Sequence, residues 1–93
     1  MSEASNLFEL EIVNEKGLHA RASAKFVETV EGHDATAIVR KDGLSAAGDS
    51  IMGLLMLAAS IGTTIEVETQ GSEADALAEA LKALVADKFG EGH

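Results

Sequence analysis

A histidine and an arginine at the expected start of a helix are the residues of this sequence best suited to chemistry. Gly17 lies two positions before His19, and Arg21 follows two positions after it. The unpaired N–H groups and the dipole at a helix N-terminus favour anions, so we expect one ring nitrogen of His19 to keep a free lone pair. A phosphoryl group taken up by that nitrogen would lie beside these N–H groups and within reach of the Arg21 guanidinium. The pattern predicts a phosphoryl acceptor.

A simpler interpretation of His19 is that it is a half-exposed residue or a plain helix cap. Residues two apart on a regular helix do not face each other, so cooperation with Arg21 requires His19 to occupy the cap position, outside helical geometry. The sequence permits this arrangement, and both interpretations stay open on spacing alone.

Ser50 is the second candidate, because it precedes an apolar segment that we predict to be helical. A serine at this position is usually an N-cap that contributes about 1 kcal/mol. A phosphate on the same hydroxyl would also be stabilised by the helix N-terminus and would change which partners can bind. Ser50 is therefore a candidate for regulation as well as for capping.

The segment after Ser50 is apolar on nearly every side. A nine-residue helix on a one-sided sheet cannot bury its whole circumference, so we expect some of Ile51, Met52 and Leu55 to form an exposed, adaptable docking patch. The alternative is that all of these side chains belong to the core. Lys16, Arg21 and Lys25 lie near His19 and form a local positive spot, unless they cluster by chance.

The composition excludes several classes of function. The chain has 93 residues, a net charge of −9 and no cysteine, which rules out disulfides, thiolate metal sites and cysteine nucleophiles. Such an acidic chain is unsuited to nucleic acid. No apolar run approaches the ~20 residues of a membrane span, and the first residues do not resemble a signal peptide. We expect one cytoplasmic, monomeric domain over 1–93 with its core at 7–89, no metal site and no direct membrane insertion.

The hydrophobic periodicity predicts an α+β fold with the order β-α-β-β-α-β-α. The elements are expected at strand 7–13, helix 20–31, strands 36–40 and 44–47, helix 51–59, strand 63–69, and a last helix that Ser72 opens with Asp75 as its capping partner. Residues 90–93 are expected to fray. One charged face on each clear strand indicates an antiparallel sheet with helices on one side, and a ferredoxin-like sheet is the generic alternative.

Two motifs together resemble the HPr family, the histidine phosphocarriers of the phosphoenolpyruvate-dependent phosphotransferase system. The first is Gly17-Leu18-His19-Ala20-Arg21 followed by Phe26-Val27, and the second is Asp49-Ser50-Ile51-Met52-Gly53-Leu54. The similarity runs from about residue 7 to residue 89. It implies an open-faced β-sandwich with a four-stranded antiparallel sheet in the order 1-4-2-3 and three helices on one face.

The resemblance also implies a function. Nδ1 of His19 would accept a phosphoryl group from phosphorylated enzyme I and pass it to a IIA-type protein, with Arg21 holding the phosphate and no bound cofactor. Ser50 would be modified by an HPr kinase/phosphorylase. The docking face would comprise Ala20, Ala24, Lys25, Ile51, Met52 and Leu55. Two other hypotheses are a binding module without phosphorylation and a regulator that signals through Ser50 alone.

Two departures from the family pattern bear on this expectation. Ala22 stands where many members have proline, which keeps the helix but puts the rigidity of its first turn in doubt. Asp49 and Gly53 stand where sugar-type members often have lysines. This less basic face favours a regulatory or nitrogen branch over sugar import.

Overall fold

A computed structural model describes residues 4–93 as four strands, three α-helices and a short 3-10 turn. The order is β1 (Ala4–Glu11), α1 (Ala20–Glu31), β2 (Thr36–Lys41), β3 (Leu44–Ala47), α2 (Ile51–Met56), β4 (Thr64–Gly71), α3 (Ala74–Ala86) and the turn Lys88–Gly90. The predicted element order is confirmed. None of the helices within residues 4–93 has the length and apolar character needed to cross a membrane.

The sheet is antiparallel, with the strand order β1-β4-β2-β3. Because side chains alternate along a strand, Val39, Ile65 and Val67 lie on the covered face and are fully buried. The opposite face carries charged residues such as Arg40, which pairs with Glu66 and Glu68 at 3.3 and 2.9 Å. The open-faced sandwich in the order 1-4-2-3 is confirmed, and the ferredoxin-like alternative is wrong.

Helix α1 follows the sequence pattern closely, and its predicted bounds are confirmed. Its buried side is formed by the five residues that the helical period selects: Ala22, Ser23, Phe26, Val27 and Val30. The hydroxyl of Ser23 donates to the carbonyl oxygen of Leu18 at 3.2 Å, so the buried serine is satisfied and fastens the helix to the loop before it.

Helix α2 is shorter than the predicted range 51–59. It ends at Met56, with Leu57 as its C-cap, because Ala58 adopts a left-handed conformation with φ of 52°. This turn sends Leu57 and Ala59 into the core. It also places the carbonyl of Ala59 where it accepts a hydrogen bond from the amide of Leu18 at 2.9 Å. The residues that leave the helix therefore support the loop that carries His19.

The predicted cap of the last helix is wrong. The N-cap is Glu73, which makes no side-chain capping hydrogen bond. The hydroxyl of Ser72 instead donates to Asp34, at 3.2 Å to the carbonyl oxygen and 2.7 Å to Oδ2. Ser72 is drawn away because the loop before β2 lies beside it, a tertiary contact that local spacing does not show.

In the segment 90–93, which the sequence predicts to fray, the amides of Gly90 and Glu91 donate to the carbonyls of Asp87 and Lys88 at 2.9 and 3.0 Å. Phe89 is fully buried, and the ammonium of Lys25 donates to its carbonyl oxygen at 2.6 Å. This anchor holds the following residues against the protein, and the side chain of Glu91 is only 9% exposed. We call residues 88–91 the C-terminal strap.

A glycine pair tests how the loop before His19 is held. Gly17 has φ of 67°, and an added Cβ would lie 2.5 Å from the carbonyl oxygen of Ala59, whereas Gly43 has φ of 82° and open space around it. Gly43→Ala is expected to cost about 1 kcal/mol of unfolding free energy through backbone strain alone. Gly17→Ala is expected to cost about 2 kcal/mol more, because backbone atoms must move apart. Chemical denaturation measures both, and equal losses would contradict this close packing.

Candidate functional site

His19 is the N-cap of α1, as the functional interpretation requires. Its backbone is extended, with φ of −75° and ψ of −177°, so its side chain turns back over the first turn of the helix. Nδ1 accepts a hydrogen bond from the amide of Arg21 at 3.2 Å. The carbonyl of His19 accepts the first helical bond from Ser23 at 2.8 Å. The Nδ1 lone pair therefore points at the positive end of α1.

The loop before His19 is held by a buried asparagine. Asn14 is fully buried, and its Nδ2 donates to the carbonyl oxygen of Gly17 at 2.8 Å. The amide of Gly17 donates back to the carbonyl of Asn14 at 3.1 Å. With the bond from Leu18 to Ala59, these contacts fix the backbone on which the histidine stands.

The other ring nitrogen of His19 meets the C-terminal strap. Nε2 contacts Oε2 of Glu91, and Oε1 of Glu91 accepts a hydrogen bond from Nδ2 of Asn14 at 3.0 Å. The His19 side chain is 27% exposed and that of Glu91 is 9% exposed. Sequence reasoning missed both Asn14 and Glu91, and no local pattern marks either residue.

The environment of Glu91 keeps its carboxyl group charged. Burial acts to raise the pKa of Glu91, but the hydrogen bonds from Asn14 and His19, together with the charge of Lys16 and that of the His19 ring whenever it is protonated, outweigh it, so the pKa lies below its ordinary value. An ionised carboxylate only accepts hydrogen bonds. The proton in the contact with His19 therefore belongs to Nε2.

Two cationic side chains near His19 are uncommitted. Within residues 4–93, neither the Arg21 guanidinium nor the Lys16 ammonium makes a hydrogen bond or an ion pair. A cavity of about 220 Å³ lies between them, and it is lined by Lys16, His19, Arg21, Gly90, Glu91 and His93. A small anion at this place would meet two free positive charges, and the Glu91 carboxylate on the same lining is already engaged by Nε2 of His19 and Nδ2 of Asn14. The part of the chain that the structure describes contains no group of three residues able to hold a metal ion.

Ser50 caps α2, as expected for its position. Its Oγ accepts a hydrogen bond from the amide of Gly53 at 3.0 Å, and its backbone is extended. The residue as a whole is half-buried. The capping role is confirmed, and a regulatory role remains a prediction.

Helix α2 presents an apolar patch beside the histidine. Met52 and Ile51 are 70% and 39% exposed, and Leu55 is half-buried and lines a second cavity together with His19. The alternative that all of these residues are core is wrong, since only Leu54 is buried in this helix. Met56, which is 74% exposed, was missed although it lies four positions after Met52. We call Ile51, Met52, Leu55 and Met56 the α2 patch.

The remaining predicted docking residues lie on α1. Ala20 is exposed and Ala24 is half-buried, on the helix that packs against α2. Lys25 is half-buried, and its ammonium is bound to the C-terminal strap rather than free. A larger cavity, about 490 Å³, lies on the open face of the sheet beside Glu9, Arg40 and Glu66, and contains none of the predicted site residues.

Known proteins are similar to this chain in both fold and sequence. A family model described as the PTS HPr component phosphorylation site matches residues 7–87. Phosphocarrier protein HPr of Neisseria meningitidis serogroup A is 47% identical over 83 residues, covering 89% of this chain and 93% of that protein. Phosphocarrier protein NPr of Escherichia coli K12 is 41% identical over 78 residues, or 83% of either chain. The crystal structure of HPr-C-His from Thermoanaerobacter tengcongensis has a TM-score of 0.88 at 35% identity, covering 92% of this chain and 97% of that one.

Proposed function

This chain belongs to the HPr family, the phosphocarrier component of the phosphotransferase system, and we propose that its His19 accepts a phosphoryl group from phosphorylated enzyme I and passes it to a IIA-type protein. The observation that carries the proposal is the orientation of His19. Its Nδ1 lone pair faces the N-terminus of α1, with the uncommitted Arg21 side chain beside it. That site suits both the free Nδ1 nucleophile and the negatively charged phosphoryl group that Nδ1 would carry after transfer.

The proposed transfer needs only groups that this chain and its donor supply. The Nδ1 lone pair attacks phosphorus, the new N–P bond forms, and the bond from phosphorus to the donor breaks with its electron pair left on the donor. The incoming negative charge meets the helix N–H groups and the guanidinium of Arg21. Delivery to the IIA-type acceptor is the same displacement in reverse, with His19 as the leaving group.

The α2 patch is the proposed docking surface, together with Ala20 and Ala24 on α1. Exposed methionines make an apolar surface that adapts to partners of different shape, as a carrier with a donor and an acceptor requires. The ammonium of Lys25 is bound to the C-terminal strap, so we propose that Lys25 contacts partners only through the aliphatic part of its side chain. We propose that the carrier works as a monomer in the cytoplasm.

Two sequence positions suggest which branch of the phosphotransferase system this carrier serves. Asp49 and Gly53 flank the start of α2, and their types leave this face without lysines. This supports a regulatory or nitrogen branch rather than sugar import. Relatives named HPr and NPr match at comparable identity, so the proposal rests on these two positions.

Regulation at Ser50 is a further part of the proposal. A phosphate on its hydroxyl would lie at the start of α2, beside the α2 patch, and would add negative charge where partners dock. HPr kinase/phosphorylase is the proposed enzyme. The position of Ser50, which is half-buried rather than fully buried, supports this assignment.

Removal of the acceptor tests the carrier role. After incubation with enzyme I and phosphoenolpyruvate, the intact protein is expected to gain the mass of one phosphoryl group, which is lost in acid and survives alkali. His19→Ala is expected to gain none. His33→Ala is the matched control and is expected to behave as the wild type, because the ring of His33 is engaged with the carbonyl of Thr29 at 2.8 Å. A full gain in His19→Ala would overturn the proposal.

A charge placed in the α2 patch tests docking. Met52→Asp is expected to lower kcat/KM for transfer from enzyme I about 10-fold, since a carboxylate must be desolvated at an apolar interface. Leu44→Asp is the control, because Leu44 is 55% exposed on β3 and lies outside the α2 patch. Equal losses in the two variants would show that docking does not use this surface.

Modification of Ser50 is tested with HPr kinase and ATP. Wild-type protein, Ser45→Ala and His19→Ala are expected to gain one phosphoryl group by mass, and Ser50→Ala is expected to gain none. Ser50→Ala is also expected to lose about 1 kcal/mol of stability through its missing cap, which denaturation measures separately. A phosphoryl gain in Ser50→Ala would contradict the assignment of the modified residue.

A further inference from the structure

The contact between Glu91 and His19 has no part in the transfer described above. We propose that Glu91 is a positioning residue, which holds the proton of His19 on Nε2 and so leaves the lone pair on Nδ1. This inference rests on the proposed function, because a free lone pair on Nδ1 matters only if Nδ1 accepts the phosphoryl group. The tautomer that we assign to the His19 ring depends only on the contacts of Glu91, Arg21 and Asn14.

The two ring nitrogens of His19 face partners of opposite character. The amide of Arg21 can only donate, so the Nδ1 atom 3.2 Å away must be an acceptor. The carboxylate of Glu91 can only accept, so Nε2 must carry the proton. A flipped tautomer would place proton against proton on one side and lone pair against carboxylate on the other. The neighbours thus select a single neutral form of the ring.

The carboxylate of Glu91 is itself fixed from its other side. Its Oε1 accepts a hydrogen bond from Asn14 Nδ2, which also donates to the carbonyl of Gly17. Asn14 is fully buried, and one amide group therefore joins the strap to the loop before His19. Glu91 and the histidine backbone are held by the same residue.

The C-terminal strap reaches His19 through a strained backbone turn. Lys88 and Phe89 both have φ of 55°, a left-handed conformation that a residue with a side chain rarely adopts. The buried ring of Phe89 and the bond from Lys25 to its carbonyl oxygen hold the turn in place. Strained backbone persists where surrounding contacts determine it, and here those contacts deliver the carboxylate to Nε2.

A carboxylate at Nε2 also suits the charge that develops during transfer. As the N–P bond forms at Nδ1, the ring of His19 becomes cationic while its proton stays on Nε2. The negative charge of Glu91 stabilises that cation without removing the proton. When the phosphoryl group leaves, the ring returns to the neutral form with the same proton in place.

Nitrogen-15 NMR of histidine-labelled protein tests the inference in the absence of enzyme I. In the wild type we expect His19 Nε2 to resonate as a protonated nitrogen and Nδ1 as an unprotonated one. His33 is the internal reference with the opposite tautomer, because its Nδ1 lies 2.8 Å from the carbonyl of Thr29. In Glu91→Ala the two His19 signals are expected to move toward each other as the tautomers mix. In Glu91→Gln, which keeps an acceptor oxygen, the wild-type pattern is expected to remain.

Transfer kinetics give the second readout. In Glu91→Ala the rate of phosphoryl acceptance at saturating enzyme I is expected to fall about 10-fold, with the half-saturating concentration unchanged. Glu91→Gln lacks the negative charge but keeps an acceptor oxygen, so its rate of phosphoryl acceptance is expected to lie between those of Glu91→Ala and the wild type. Glu79→Ala removes an equal charge from the exposed face of α3 and is expected to match the wild type, since that side chain is 76% exposed.

The outcomes separate this inference from the proposed function. Unchanged His19 signals in Glu91→Ala would overturn the inference, even if wild-type protein carries phosphoryl groups as proposed. Mixed tautomers in Glu91→Ala would support it, even if enzyme I were not the donor. If Glu79→Ala lost as much transfer rate as Glu91→Ala, the loss would reflect only the change in net charge. That result would also overturn the inference.

Discussion

The structure depends on the orientation of one imidazole ring between the end of a helix and a buried carboxylate. Nδ1 of His19 accepts from the first turn of α1, and Nε2 contacts Glu91. Reversal of the ring would break both contacts and leave a carboxylate that is 9% exposed without its partner. An unsatisfied buried polar group costs about 1 to 3 kcal/mol, and more when it is charged. The ring is therefore held by a penalty on the Glu91 side and by a favourable contact with the exposed amide of Arg21 on the other.

Several parts of the fold converge on this ring. The early end of α2 at Met56 frees the carbonyl of Ala59 to hold the loop before His19. The strap crosses from α3 and carries Glu91 to the same loop. Helix α1 begins at Ala20 and buries Ala22 completely, so its first turn forms with alanine where many family members have proline. The open face of the sheet takes no part, and its Arg40 pairs with Glu66 and Glu68 on the neighbouring strand.

The charge distribution suits a carrier that must both receive and deliver. The chain has a net charge of −9, yet Lys16 and Arg21 line the cavity beside His19, the proposed acceptor. Two cations and a helix N-terminus favour an anion at this place, and the His19 side chain is 27% exposed, so a phosphoryl group on it would stay within reach of a partner. The α2 patch adjoins this site, and one surface can therefore serve donor and acceptor in turn.

The sequence predicted the parts of this account that depend on local pattern. The bounds and buried side of α1 follow from its 3.6-residue period, and the caps His19 and Ser50 follow from their positions before helices. Glu91 could not be predicted, because it lies 72 residues from His19 and reaches it through a left-handed turn at non-glycine residues. Ser72 was misassigned for a similar reason, since Asp34 competes for its hydroxyl. Local chemistry indicated His19 as the proposed acceptor, and tertiary contacts determine the partner of each of its ring nitrogens.

The central claim is that Nδ1 of His19 is the acceptor atom, and phosphorus-31 NMR of the protein charged by enzyme I and phosphoenolpyruvate tests it most directly. The account predicts a single phosphoimidazole signal of the Nδ1 type, with the remaining proton on Nε2 of the same ring. A signal of the Nε2 type, or one from a residue other than His19, would contradict it.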